Sequence, residues 1–179
     1  ISAVHNLGGK WILTGSEDSA LRVWLINPAM FTTPLSSHAS MHSLNNHPLS
    51  LVHVEKGDHT HGISVISSLP SPPSAYTLIV GYLNGSISVY TLDYTGENIN
   101  RIHIEYRYAD AHSRPVSGLI CMPKGDYFLS AGMDGLLIVW SVKDRQSDRQ
   151  IGEHMDDCIY SMASINNYSV LATVDDGRL

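Results

Sequence analysis

The stretch "SAGMDGLLIVW", residues 130–140, places an Asp-Gly pair directly ahead of five apolar residues, the last of them Trp140. Asp and Gly are the residues a tight reversal between strands calls for, so Asp134-Gly135 predicts a two-residue hairpin. The apolar positions that follow are consecutive and not alternating, which predicts a short strand covered on both faces.

The segment recurs along the chain. "GDYFLSAGMDGLLIVW" (125–140) lines up with "GKWILTGSEDSALRVW" (9–24), "AYTLIVGYLNGSISVY" (75–90) and "NYSVLATVDDGRL" (167–179). The turn position reads Asp18, Asn84, Asp134 and Asp176, and the aromatic six residues on reads Trp24, Tyr90 and Trp140. Upstream, "HTHGISVISSL" (59–69), "HSRPVSGLICM" (112–122) and "HMDDCIYSMAS" (154–164) align without a gap. That alignment puts His59, His112 and His154 four residues before an apolar strand. From histidine to turn residue the spacing is 22 in two copies and 25 in the third, where "LPSPPS" takes up the extra length.

Each copy reads as strands. "VSGLICM" and "YFLSA" are short and apolar or β-branched, and a Pro-Lys-Gly-Asp turn separates them. After the aromatic comes a variable loop and one more strand, "LSLVHVE" (49–55) or "RIHIEYRY" (101–108). Four strands per unit, repeated in tandem, predict an all-β chain of four-stranded antiparallel blades stacked as in a β-propeller. The units are 1–58 with an insertion at 27–49, then 59–111, 112–153 and a truncated 154–179.

His112, Ser130, Asp134 and Trp140 carry a resemblance to the WD-repeat (WD40) family, matching its His, Ser/Thr, Asp and Trp positions. The resemblance implies a buried hydrogen-bonded tetrad running from indole to hydroxyl to imidazole to carboxylate, and a rigid non-catalytic scaffold on which protein or peptide partners assemble. The other copies keep it in part: Thr14, Asp18 and Trp24 in the first, His59, Asn84 and Tyr90 in the second, His154 and Asp176 in the fourth. Val80 and Ala172 stand where the hydroxyl would be. Propellers of this kind close with typically 4–8 blades, so about three and a half repeats predict a partial propeller, not closed within this chain, whose remaining blades come from missing parts of it.

Composition narrows the function classes. Lys plus Arg total 11 against 17 Asp plus Glu, a formal net charge of −6, which disfavours a phosphate-backbone binder and leaves an RNA-associated propeller as the second reading. No apolar run approaches the roughly 18 residues of a membrane helix. Cys121 and Cys158 lack CxxC spacing and read as buried, reduced thiols of an intracellular protein, in cytoplasm or nucleus.

Ser130, His112 and Asp134 have the residue types of a hydrolase triad, but their recurrence in altered form suits a structural network, and no Gly-x-Ser-x-Gly elbow presents a nucleophile. His38, His42, His47, His59 and His61 lack the ligand set of a zinc site; His59 already has a place in the repeat and the loop histidines of the insertion read as solvated, so neither metal nor cofactor is expected. Arg22 is expected to pack its stem against the next blade. Residues before each turn and after each histidine should share one rim, giving Glu17, Leu83, Arg114, Met133, Asp156 and Asp175 as candidate partner contacts. Insertions 27–49 and 69–76 should project from the opposite rim.

Overall fold

The computed structural model describes residues 1–8, 10–27, 47–56, 61–70, 75–151, 157–166 and 169–174. Fourteen strands are formed among them, and none of these residues is helical. The first sheet holds β1 (Ala3–Asn6), β2 (Trp11–Gly15), β3 (Ala20–Ile26) and β4 (Leu49–Lys56). The second holds β5 (Ile63–Leu69), β6 (Ala75–Tyr82), β7 (Ile87–Thr95) and β8 (Asn98–Tyr108). The third holds β9 (Val116–Cys121), β10 (Tyr127–Gly132), β11 (Leu137–Ser141) and β12 (Gln146–Ile151), and β13 (Ile159–Asn166) pairs with β14 (Ser169–Val174). Every pairing is antiparallel, and each four-stranded sheet runs in simple chain order. No described helix is long and apolar enough to cross a membrane.

The first strand of each sheet lies beside the first strand of the next. The Ser64 hydroxyl of β5 donates to the Val116 carbonyl of β9 at 2.6 Å, and His5 Nε2 of β1 meets Ser68 Oγ of β5 at 2.9 Å. Further round, Gly118 of β9 faces the Met162 side chain of β13. The sheets therefore fan about the line of their first strands, as blades of a propeller that does not close within the described residues.

Alternation along a strand explains the consecutive apolar positions. In the second sheet Leu78, Val80, Tyr82, Tyr90 and Leu92 turn toward the first sheet and pack with Trp11, Leu13, Leu21 and Val23. Their neighbours Ile79, Ile87 and Val89 turn the other way, into a core shared with Val116, Phe128, Ile138 and Trp140 of the third. A blade with sheets on both sides needs apolar groups at both parities, and each large side chain so buried contributes roughly 1.5–3 kcal/mol. In β11, Ile138 and Trp140 are buried while Leu137 and Val139 are half-buried.

Several expectations need correction. The Asp134 hairpin has three loop residues, not two: Gly132 N–H donates to Leu136 O at 3.1 Å, and Gly135 N–H to Gly132 O at 3.1 Å. Positive φ falls on Gly135 alone (78°), so the turn is a helical-type reversal closed by one left-handed residue. β13 begins at Ile159, five residues after His154 and not four. The gapless alignment paired Cys158 with Ile63 and Val116, whereas Ile159 is the residue that shares their full burial. Both cysteines are free and only partly buried. At Arg22 the guanidinium grips the Asp18 carboxylate and donates to Ser16 Oγ at 2.8 Å, a pairing beyond the expected packing of the stem. The end of β5 at Leu69 and the starts of β4 at Leu49 and β6 at Ala75 trim the insertions, whose residues 28–46 and 71–74 lie outside those described.

Candidate functional site

The loop from Asp110 to Pro115 carries His112 over the open end of the third sheet, where β10 supplies Ser130, β11 supplies Trp140 and the hairpin between them supplies Asp134. Trp140 Nε1–H donates to Ser130 Oγ at 2.8 Å, and that oxygen lies 2.7 Å from His112 Nε2. His112 Nδ1 stands 3.0 Å and 3.2 Å from the two Asp134 oxygens. A carboxylate only accepts, so Nδ1 carries the imidazole proton, Nε2 is bare, and the Ser130 hydroxyl donates to it. The chain of donors runs one way, from indole to carboxylate. Asp134 also takes the backbone N–H groups of Ser113 at 2.8 Å and Leu136 at 3.3 Å, tying the connector and the hairpin to one side chain.

The first and second sheets solve the same problem differently. Trp24 Nε1–H donates to Thr14 Oγ1 at 2.9 Å, but Asp18 is engaged by Arg22, Ser16 and the Ala20 N–H, which hold its carboxyl well below the usual carboxylate range. In the second, Tyr82 and Tyr90 join hydroxyls at 2.8 Å inside the core, and Asn84 Oδ1 accepts from Ser86 N–H at 3.1 Å. Burial pushes the Tyr82 phenol far above its ordinary value. One position two residues ahead of the turn sorts these outcomes: Ser16, Tyr82 and Gly132. A Cβ at Gly132 would sit 2.4 Å from His112 Nδ1 and 2.3 Å from Asp134 Oδ1, so the His–Asp contact demands glycine there. The sequence reading passed over this position, although its variation tracked the loss of the tetrad. Ala172 pairs with Met162, while His59, His154 and Asp176 lie outside the described residues.

The three described hairpins between second and third strands share one rim; the first and second touch the connector into the next sheet, and the second and third touch the connector into their own. Ile63 N–H donates to Ser16 O at 3.1 Å, Leu83 N–H to Gly62 O at 2.9 Å, His112 N–H to Gly85 O at 3.0 Å and Met133 N–H to Pro115 O at 2.9 Å. Glu17 and Arg114 are exposed on this rim, Leu83 is 43% exposed, and Met133 is half-buried. Arg114 Nη1 reaches Met133 O at 3.0 Å and Cys158 Sγ at 3.0 Å. Asp156 and Asp175 lie outside the described residues, as do His38 and His42. Among the described residues no three His, Cys, Asp or Glu side chains gather as metal ligands. Burial raises the Cys121 thiol to about 11, so it is not a nucleophile at neutral pH.

Burial pushes the His112 imidazole below its ordinary 6.5, with Asp134 opposing the shift. The unfolded chain then binds this proton more readily than the folded one, so stability is full above about pH 6.5 and falls as the pH drops below it. Urea midpoints at pH 7.5 and 5.5 should show the lower value at 5.5, with a smaller difference in His112→Gln. His5, also lowered by burial, adds to the slope with the same sign. A midpoint higher at pH 5.5 would mean the imidazole is folded in its charged form.

Residues 1–24 and 105–141 match the family described as WD domain, G-beta repeat. Among solved structures, Chaetomium thermophilum Sqt1 bound to the N-terminus of the ribosomal protein L10 superposes with a TM-score of 0.67 at 19% identity, covering 96% of this chain and 44% of that one. The chain thus spans less than half the length of that protein. No curated protein matches it. Two stretches of the chain thus match WD40 repeats, and the four-stranded sheets fanned about their first strands have the fold of a WD40-type β-propeller.

Proposed function

We propose that this chain is a non-catalytic, intracellular platform that gathers protein or peptide partners into a multiprotein complex along the rim of its hairpins. The observation that carries the reading is the convergence on that rim of the described hairpins between second and third strands and the connectors between sheets, with Leu83 exposed beside Glu17 and Arg114 beside Met133. An apolar and charged mixture held on rigid strands suits a contact surface, because little entropy is lost on binding. Sqt1 is seen holding the end of another chain, which supports a peptide as ligand for a propeller of this fold. Ser130 is fully buried and its oxygen is committed to Trp140 and His112, which argues against its use as a nucleophile.

The units 59–111 and 112–153 are proposed as single blades, since each contains one complete four-stranded sheet. Affinity capture with the intact protein and with Arg114→Glu tests the rim. At least a tenfold loss of the captured partners is expected, as for an exposed interface arginine turned to the opposite charge. An unchanged partner set at unchanged stability would sink the rim assignment.

A further inference from the structure

Beside the tetrad, between the connector at Asp110 and the outer half of the third sheet, lies a cavity of about 330 Å³. Leu136, Ile138 and Trp140 give it an apolar floor, and Asp110, Asp134 and Gln150 contribute polar walls. No lysine or arginine lines it among the described residues. The Asp134 side chain is 5% exposed, and among the described residues it is met by imidazole, hydroxyl and backbone donors and by no lysine or arginine. Asp110 stands exposed at the mouth. Neither group was singled out for binding by the repeat pattern, because Asp110 belongs to a connector and the cavity forms only once β12 closes the sheet.

We propose that this cavity takes the guanidinium side chain of an arginine presented by a partner chain. The apolar floor matches the three-methylene stem, and a planar fork can pair with the Asp110 carboxylate and the Gln150 amide oxygen together. The long-range field agrees in sign, since the chain carries a formal charge of −6. A lysine has the charge without the fork and pairs with one acceptor at a time. The proposal rests on and deepens the platform reading by naming the chemistry of one contact; its lining includes neither Arg114 nor Met133, although Ser113 and Asp134 adjoin them in the chain.

The test uses acetyl-arginine-amide and acetyl-lysine-amide as probes, titrated into the intact protein and followed by NMR at the Trp140 indole N–H. Saturable arginine binding is expected, weakened about tenfold by Asp110→Asn as a lost charge-assisted pair predicts, and left unchanged by Asp148→Asn. The lysine probe should bind several-fold more weakly. Absence of saturable shifts, equal affinity in Asp110→Asn, or equal binding of the lysine probe would each overturn the assignment. Because the probes need no partner, failure here leaves the capture result with Arg114→Glu to decide the platform reading separately.

Discussion

Replacing Trp140 with alanine should lower the stability of the chain by about 3–5 kcal/mol, the range for emptying a buried aromatic site. Trp140 is 6% exposed and its ring lies 4.3 Å from that of Tyr108, across the junction of the second and third sheets. The substitution removes this packing and also the only indole donor to Ser130. Trp140→Phe separates the two effects: it keeps most of the packing and should cost about 1–3 kcal/mol through the hydroxyl left short of a donor. For a domain of this size each kcal/mol shifts the melting temperature by roughly 2–4 °C, so both variants are resolvable in a thermal scan. Combining Trp140→Phe with Asp134→Ala should give less than the sum, with a coupling of about 0.5–3 kcal/mol, because the two ends act through one chain of hydrogen bonds. Full additivity would mean that the four residues stabilise the sheet independently.

Trp24→Phe offers the contrast within the same molecule. Its indole also donates to a hydroxyl, that of Thr14, but Trp24 is only half-buried and Asp18 is turned to Arg22. Water can take over the lost bond there, so the cost should be well below that at Trp140. Residue type and spacing are thus shared between the sheets while burial is not, and burial decides the energy.

The same distinction marks what could be read ahead of the fold. Strands, their fourfold grouping and the reach from His112 to Asp134 were legible because each depends on residues at fixed intervals, which repeat in step. The hairpin length was not, since Asp-Gly suits both a two-residue turn and the left-handed end of a three-residue one. The Arg22–Asp18 ion pair was not legible, because a strand position says which face a side chain leaves from and nothing about Asp18 four residues back. The Tyr82–Tyr90 hydroxyl pair was invisible for a related reason: it replaces the usual donors by a residue from the neighbouring repeat position, and only the packed core shows the two rings meeting. The cavity beside Asp110 depends on a gap between elements, which no local pattern encodes.

Gly85→Ala should cost about 2–4 kcal/mol, more than its small size suggests. Gly85 has φ 86°, and a Cβ built on it would lie 2.0 Å from the His112 carbonyl oxygen and 2.8 Å from that of Arg114. These are backbone atoms of the connector that holds the tetrad, so the chain must separate the second hairpin from the third sheet to admit a methyl group. The His112 N–H bond to Gly85 O would be lost in the same movement. Gly96→Ala isolates the conformational part: Gly96 has φ 64° and open space where the Cβ would go, so only about 1 kcal/mol of left-handed strain is expected. Ser19, at φ 63° in the first hairpin, shows that a side chain is accepted in this conformation where the neighbouring connector leaves room; its hydroxyl bonds to His61 O at 2.8 Å. The excess cost at Gly85 over Gly96 therefore measures how tightly one blade's turn is pressed on the next blade's connector. Equal costs at the two glycines, or an unshifted His112 imidazole signal in Gly85→Ala, would show that the blades are not coupled through this contact.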